Sequence, residues 1–207
     1  MQITVERDGS LTMTAPPQVK REQLERFARA KRQWVYEKLA LRAELPEPSK
    51  KEFVGGEGFS YLGRSYRLQL VAGEGVPLRL NGGRFQLRRR QVHLAQRHFS
   101  EWYVSHAQVW LEERVGAWAE RLGVEPTSVT VRDQGFRWAS CGAGGRLYFH
   151  WKLIQLPPRL VDYVIVHELV HLTHEDHGRA FWAAVGRVIP DFEARRQSLL
   201  RTGANVW

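Results

Sequence analysis

The sequence is poor in cysteine, with Cys141 as the single thiol among 207 residues. One cysteine rules out a disulfide within the chain and suits a reducing compartment, so we expect a cytoplasmic protein. No apolar run approaches the roughly 20 residues that cross a bilayer. The first residues also lack the basic-then-apolar pattern of a secretory signal. We therefore expect no membrane partner.

The sequence also lacks internal repeats and low-complexity tracts. This absence disfavours repeat arrays and disordered segments. It has no Walker-type phosphate loop and no carboxylate cluster suited to Mg²⁺. What it does contain is 43% hydrophobic residues, enough for one large domain or two small ones with a core of their own.

Positive charge is in excess along the chain. Lys and Arg number 31 against 22 Asp and Glu, which gives a formal charge of +9. Such a balance attracts anions, so contact with nucleic acid or nucleotides through a basic surface is one expectation. The alternative is a solvated, arginine-rich surface, because the charge is spread out and its densest run, residues 88–90, is short.

Residues 1–90 favour a β-rich region that contains one helix, and we take them as the first of two domains. Residues 2–14 alternate like two strands joined by a turn at Asp8-Gly9. Residues 21–42 carry apolar side chains at helical spacing. Prolines and glycines make residues 45–58 a linker loop. Four short strands follow, separated by glycine-containing turns: residues 59–62, 66–71, 77–80 and 84–87.

Residues 91–207 are the second predicted domain, which combines helices with a short sheet and makes the whole chain an α+β protein. A long helix fits residues 98–122 and ends at Gly123. Next come a strand, a glycine-rich loop and a second strand: residues 129–132, 137–145 and 146–153. Three helices complete the prediction. Pro157-Pro158 opens the first, which runs through residues 161–172; the second runs from after Gly178 to about residue 188, and the last begins at residue 190.

A metal-binding motif lies inside the helix predicted over residues 161–172. His167, Glu168 and His171 form the pattern HExxH. Residues four apart on a helix differ by about 40° around the axis and about 6 Å along it, so two imidazoles can grip one ion from the same side. Glu168, beside them, can accept a proton from an attacking water. The neighbouring residues are apolar, a poor setting for three polar side chains without a function.

A catalytic zinc usually keeps three protein ligands and one open position, so a third ligand is needed. On a continued helix His174 would lie about 10 Å beyond His167 along the axis, too far to share an ion. His177 becomes reachable if the chain turns after about Thr173. Residues 175–178 are typical of turns. We therefore predict a Zn²⁺ site at His167, His171 and His177, with Glu168 as the catalytic base.

The sequence around this motif resembles a known family. The matching segments are Arg137-Trp138-Ala139-Ser140-Cys141, Leu156-Pro157-Pro158, residues 162–171, His174, His177-Gly178, Phe181-Trp182 and Pro190-Asp191-Phe192. In these features the chain is similar to the YgjP-like zinc metallopeptidases, relatives of the SprT and WLM proteases. The similarity covers nearly the whole chain and is most specific in the last third.

The resemblance implies a zincin-like core within residues 91–207, made of a short sheet and the HExxH helix. It also implies zinc held by His167, His171 and His177, Glu168 as base, and a polypeptide substrate. Two positions depart from the family pattern: Ala139 stands where the family has glycine, and His150 stands where it has asparagine.

Several further roles stay open at the level of sequence. Zinc, Arg137, Tyr163 and His174 are all candidates to stabilise the oxyanion of peptide hydrolysis. Arg137 and Tyr163 could equally anchor a loop and pack in the core. Residues 144–151 could form an exposed strand edge that pairs with an extended peptide, or an ordinary core strand. Cys141 is either a small buried thiol or a fourth metal ligand.

The favoured function is a zinc-dependent metallopeptidase. One alternative is a metal-dependent phosphohydrolase acting on nucleotides, which the basic charge would suit. Another is a non-enzymatic nucleic-acid-binding module with structural zinc. The histidine set disfavours this last class, because structural zinc sites usually contain cysteine and close all four positions.

Overall fold

A computed structural model describes residues 1–5, 11–43, 50–135, 137–204 and 206–207 of the chain. They group into two compact units, Met1–Glu47 and Pro48–Trp207. The turn predicted at Asp8-Gly9 lies outside the described residues, as does the start of the predicted linker loop. The expected division into residues 1–90 and 91–207 stays a prediction.

The first unit contains a β-hairpin and two helices. The hairpin strands are antiparallel, with Ile3 opposite Met13. One helix was expected over residues 21–42, but Lys31 leaves the helical conformation (φ −96°, ψ 2°) and its amide bonds the carbonyls of Phe27 and Ala28. Lysine is a good helix former, so the sequence carries no sign of this break. The elements are β1 (Gln2–Val5), β2 (Leu11–Thr14), α1 (Arg21–Ala30) and α2 (Arg32–Ala43).

The second unit contains two small sheets and four helices among its described residues. Its strands are β3 (Gly58–Tyr61), β4 (Arg64–Val71), β5 (Leu78–Asn81), β6 (Arg84–Arg88), β7 (Ser128–Arg132), β8 (Ala139–Gly142) and β9 (Arg146–His150). Its helices are α3 (Ala95–Leu122), α4 (Pro158–Val170), α5 (Arg179–Val188) and α6 (Phe192–Gly203), with 3₁₀ turns at Arg89–Leu94 and Trp151–Gln155. The α+β class predicted from the sequence is confirmed.

Each of the two sheets of the second unit contains one parallel pair. The four-stranded sheet has the order β3-β4-β6-β5, with β4 and β6 parallel and the outer pairs antiparallel. The three-stranded sheet has the order β7-β9-β8, with β7 and β9 parallel and β8 antiparallel to β9. Strand β8 therefore forms one edge of the second sheet, and β9 lies at its centre.

The glycine-rich loop predicted over residues 137–145 contains strand β8, so that prediction was wrong. Gly144 and Gly145 both have positive φ (71° and 74°), which turns the chain back so that β8 can pair with β9. The Ala-Ser-Cys-Gly sequence of β8 has little β-propensity of its own. Strand β9 also ends earlier than predicted, because the ring of His150 accepts the Lys152 amide and starts the 3₁₀ turn.

Helix α4 lies in the core of the second unit. Every residue from Leu160 to Val170 except His167 is buried. Buried Asp162 accepts hydrogen bonds from Arg114 Nε (2.6 Å) and Nη2 (2.7 Å) and from Trp118 Nε1 (2.9 Å), all on α3. These three charge-assisted bonds compensate for burying the carboxylate and tie α4 to α3.

The start of α4 is also held by the turn between β3 and β4. The amide of Leu62 donates to the Ile154 carbonyl (2.8 Å) and that of Gly63 to the Gln155 carbonyl (3.2 Å). Gly63 has a φ of 76°, and a Cβ there would lie 2.8 Å from the Cα of Pro157, the residue that precedes α4. Only glycine combines this backbone conformation with so close an approach. In the described part of the chain, no helix is both long and apolar enough to span a membrane.

Candidate metal centre

Helix α4 places two histidines side by side at its carboxyl end. His167 lies in the last turn and His171 is the residue that caps the helix. Their spacing of four residues puts both rings on one face, and their ring centroids lie 5.1 Å apart. Glu168 is next to His167 in sequence and is buried, with 7% of its surface exposed.

After α4 ends at Val170, the chain turns and brings a third histidine, His177, to the same face of the helix. The amides of Thr173 and His174 both donate to the Val170 carbonyl, which closes the last turn and ends the helix. His177 follows just before α5, and its Nε2 lies 3.0 Å from Nε2 of His167. One ring nitrogen from each of the three histidines lies within 4.8 Å of the others.

The ring of His171 is oriented by a backbone contact. Its Nδ1 lies 3.0 Å from the carbonyl oxygen of His174, which requires the proton on Nδ1 and leaves the lone pair on Nε2. The side chain of His174 turns away and bonds the hydroxyl of Thr173 at 2.9 Å. His174 is therefore outside the histidine cluster, but its carbonyl sets the tautomer of His171.

Two of the three histidines, His167 and His177, have lowered pKa values that favour the neutral, cation-binding form. Burial, followed by the neighbouring His171 and His177, lowers the pKa of His167 to about 3. The pKa of His177 is lowered for the same leading reason, burial, with a further contribution from His171. A neutral ring keeps a lone pair available, so His167 and His177 can each bind a cation at neutral pH.

The geometry fits one small cation. Two imidazole nitrogens bound to the same tetrahedral zinc lie about 3.3 Å apart, because each Zn–N bond is about 2.0–2.1 Å. The distance between the Nε2 atoms of His167 and His177 is 3.0 Å. Nδ1 of His167 is buried and has no hydrogen-bond partner among the described residues. Among the described residues, the group that could hold a metal ion consists of these three histidines and does not include Cys141.

Glu168 has the acidity of a group that exchanges protons near neutral pH. Burial raises its pKa to about 7, and a hydrogen bond from the backbone of Cys141 and the charge of Arg137 offset part of that rise. A carboxyl group with such a pKa can take a proton in one step and return it in the next. Its position beside the histidine cluster suits it to act on a water molecule there.

Comparison with known proteins identifies the family of the chain. The sequence model of the YgjP-like family, described as a metallopeptidase domain, matches residues 1–202. The chain belongs to the YgjP-like metallopeptidase family. Membership implies a metal-dependent peptidase, and hence a bound metal ion and a polypeptide substrate.

Two other comparisons complete the picture. Among solved structures, the crystal structure of the metallopeptidase zymogen of Pyrococcus abyssi abylysin matches with 21% identity and a TM-score of 0.41. The match covers 46% of this chain and 98% of that one. No curated protein matches the chain.

In this YgjP-like chain, an aromatic wall supports the histidine cluster. The ring of Phe181, fully buried on α5, lies 4.9 Å from that of His167 and 4.7 Å from those of His171 and His177. Trp182 lies beside it, 5.7 Å from the His177 ring. This wall limits how far the three imidazoles can separate.

The edge strand β8 brings outward-facing backbone groups to the same site. The carbonyl of Trp138, the residue before β8, accepts a hydrogen bond from the amide of His150, the last residue of β9, so Ser140 and Gly142 also point their backbone groups toward β9. Ala139 and Cys141 therefore point their backbone groups away from it, and the Cys141 amide reaches Glu168. The core-strand interpretation is confirmed for β9, which lies between β7 and β8, and the edge belongs to β8, whose residues are half-buried.

Two candidates for oxyanion stabilisation differ in exposure. Tyr163 lies one turn before His167, with ring centroids 6.0 Å apart, and only 5% of it is exposed. Burial raises the pKa of its hydroxyl, which keeps it protonated as a donor. Arg137 is exposed, and its charge reaches Glu168.

Sequence reasoning missed one residue near the cluster. Arg196, on α6, lies over the ring of Trp182 at 5.5 Å, and its charge lowers the pKa of both His167 and His177. The available signal was its spacing of four residues from Phe192, which stacks on the same indole ring.

Proposed function

We propose that this chain is a zinc-dependent metallopeptidase in which His167, His171 and His177 hold zinc and Glu168 is the catalytic base. We further propose that α4 and the three-stranded sheet form a zincin-like core. The observation that carries the proposal is the meeting of three imidazoles whose ring nitrogens lie within 4.8 Å of one another, next in sequence to a buried carboxyl group whose pKa is about 7.

The donor set favours zinc over harder cations. Imidazole nitrogens suit zinc and other first-row metals, whereas Mg²⁺ and Ca²⁺ take oxygen ligands. Three protein ligands leave one position for water or substrate, as in catalytic zinc sites. When bound there, zinc would supply Lewis acidity, polarising the scissile carbonyl and lowering the pKa of water to about 7.

Glu168 would move the proton of the reaction. As a carboxylate it takes a proton from the attacking water, and as an acid it returns that proton to the leaving amine. The amide of Cys141 holds the carboxyl group in place during both steps. Tyr163 can donate a hydrogen bond to the oxyanion, because its raised pKa keeps the hydroxyl protonated.

The edge of β8 would align the substrate. An extended peptide can add a strand to an exposed sheet edge through main-chain hydrogen bonds, independent of its sequence. Ala139 points its amide and carbonyl to that edge, two residues from the Cys141 amide that holds Glu168. A peptide paired there would lie against the catalytic carboxyl group.

The proposal is tested by metal analysis combined with Glu168→Gln. The purified chain should carry about one zinc per molecule and cleave a mixed peptide library. Glu168→Gln should keep the metal and lose at least about 100-fold in turnover, since the proton acceptor is gone while the three ligands remain. Metal content is measured by atomic emission and cleavage by mass spectrometry.

Glu193→Gln is the matched control, because Glu193 is an exposed acid on α6 outside the cluster. It should retain both metal and turnover. If wild-type protein with a full metal site hydrolyses nucleoside triphosphates and no peptide, the peptidase assignment is wrong. If the Glu168→Gln variant cleaves peptides as well as the wild-type protein does, the proposed base is wrong.

A further inference from the structure

An exposed arginine, Arg196, lies next to the histidine cluster and has no acidic partner among the described residues. The guanidinium carbon of Arg196 is 5.5 Å from the centre of the Trp182 ring. That ring in turn lies 5.7 Å from the ring of His177 and 5.9 Å from that of His167. Arg196 therefore stands at the rim of the candidate metal centre.

The neighbouring arginine shows what a structural role looks like on the same helix. Arg195 Nε bonds both carboxylate oxygens of Asp191 (3.0 and 3.1 Å), and its Nη1 bonds the Arg159 carbonyl (3.1 Å). Within the described residues, the side chain of Arg196 forms neither an ion pair nor a hydrogen bond. Its one contact of note is the face of Trp182, which leaves the five N–H donors of the guanidinium free.

Binding a metal does not explain this placement. A guanidinium close to the site repels any cation bound by the histidines, and its charge already lowers the pKa of His167 and His177. The unfavourable charge is offset when an anion binds between the arginine and the cluster. Trp182 keeps the side chain extended over the site, because a guanidinium stacks on an indole face.

We propose that Arg196 binds a substrate carboxylate close to the scissile bond, so that the enzyme prefers peptides with an acidic group at that position. This inference rests on the peptidase function proposed above. Guanidinium and carboxylate form two parallel hydrogen bonds, which makes this pairing selective as well as strong. Because an extended peptide advances about 3.3 Å per residue, the carboxylate lies within about three residues of the cleaved bond.

Two sources can supply that carboxylate: an Asp or Glu side chain, or the free carboxyl terminus of the peptide. A set of four otherwise identical fluorogenic peptides distinguishes them. One is neutral with an amidated end, one carries an internal Glu with an amidated end, one carries the matching Gln, and one is neutral with a free carboxyl terminus. The measured quantity is the ratio of kcat/KM for each acidic peptide to that for its neutral counterpart.

The wild-type ratio should exceed one for the internal Glu or for the free terminus. In Arg196→Gln that ratio should fall about tenfold, because a charge-assisted bidentate contact is lost. Arg196→Lys should recover part of it, since lysine keeps the charge but lacks the forked geometry. Thermal unfolding of each variant checks that the fold is retained.

Arg187→Gln is the matched control. Arg187 is an exposed arginine on α5, and its charge is not among those that lower the pKa of His167 or His177. This variant removes the same charge from the protein and should leave the acidic-to-neutral ratio at its wild-type value. A fall of equal size in Arg187→Gln would mean that net charge, and not Arg196, sets the preference.

A binding measurement separates this inference from the peptidase proposal. Fluorescence anisotropy with the same labelled peptides is recorded on the full chain loaded with zinc, with Glu168→Gln used to prevent cleavage. The inference is supported, even if no peptide is cleaved, if Glu168→Gln binds an acidic peptide more tightly than a neutral one and the double variant Glu168→Gln, Arg196→Gln binds both equally. Equal affinity for acidic and neutral peptides, together with normal cleavage of the neutral one, overturns the inference and leaves the peptidase function standing.

Discussion

The Nε2 atoms of His167 and His177 lie 3.0 Å apart although ten residues separate them in sequence. The close approach depends on the end of α4 at Val170 and on the turn that follows it. In that turn the His174 carbonyl accepts a hydrogen bond from Nδ1 of His171. The backbone of residues 171–177 thus does two things. It brings in the third imidazole and sets the tautomer of the second.

The first prediction separates the two histidines of this loop. His177→Ala should weaken zinc affinity by more than about 100-fold, because it removes a ring nitrogen from the cluster. His174→Ala should change it by less than about threefold, since the carbonyl that contacts His171 belongs to the backbone and stays. Competition with a chelator of known affinity measures both. Equal losses in the two variants would contradict the assignment of His177.

The second prediction concerns pH and the metal-free protein. Folding raises the pKa of Glu168 from 4.5 to about 7. Between these two pH values the folded protein keeps the Glu168 proton, whereas the unfolded protein has lost it. Stability from this group is complete below about pH 4.5 and is lost as pH rises to about 7. His167, lowered from 6.5 to about 3, acts in the opposite direction, adding stability as pH rises.

The effect of Glu168 is isolated by comparing wild type with Glu168→Gln, because the histidine contribution is common to both and cancels. The free energy of unfolding of the variant, relative to wild type, should rise by about 3 kcal/mol between about pH 4 and pH 8. Urea denaturation in the presence of chelator at several pH values gives this difference. A difference that does not vary with pH would show that Glu168 keeps an ordinary pKa.

The third prediction tests the edge of β8. Ala139→Pro removes an amide that points away from β9, so the sheet should persist while pairing with substrate is lost and kcat/KM falls about tenfold. Ser140→Pro removes an amide that points toward β9 and should destabilise the fold by about 3 kcal/mol. Peptide cleavage and chemical denaturation distinguish the two effects. Unchanged cleavage by Ala139→Pro would argue against substrate pairing at this strand.

The fourth prediction concerns the turn that holds the start of α4. Gly63 and Gly82 both have positive φ, but a Cβ at Gly63 meets Pro157 at 2.8 Å whereas one at Gly82 meets nothing within 4 Å. Gly82→Ala should cost about 1 kcal/mol in unfolding free energy from backbone strain alone. Gly63→Ala should cost at least about 2 kcal/mol more, because the clash is with backbone. Similar costs would mean that the turn moves aside freely.

Some features were predictable because they depend on local pattern. Gly123 ends α3 in the left-handed conformation, as its place after an apolar stripe predicted. The HExxH spacing predicted that His167 and His171 share a face. The turn residues after Thr173 predicted a break before His177, but α4 ends earlier, at Val170. The expected nucleic-acid contact stays a prediction, since it depends on a partner and not on the local pattern of the chain.

Other features depend on contacts between segments far apart in sequence. Strand β8 is built from residues with little β-propensity and exists because β9 lies beside it. The break at Lys31 likewise has no local signal. Arg196 reaches the histidine cluster only because α6 packs so that Phe192 and Arg196 both lie on Trp182.

By itself, the sequence determined the chemistry of this protein: which side chains can bind a cation, which can carry a proton, and that two of them share a helix face. The tertiary structure decided their environment. It buried Glu168 and placed the Cys141 amide and the charges of Arg137 and Arg196 around the cluster. The reason is that the type and spacing of residues follow from covalent geometry, whereas desolvation and Coulomb interactions depend on which segments meet in space.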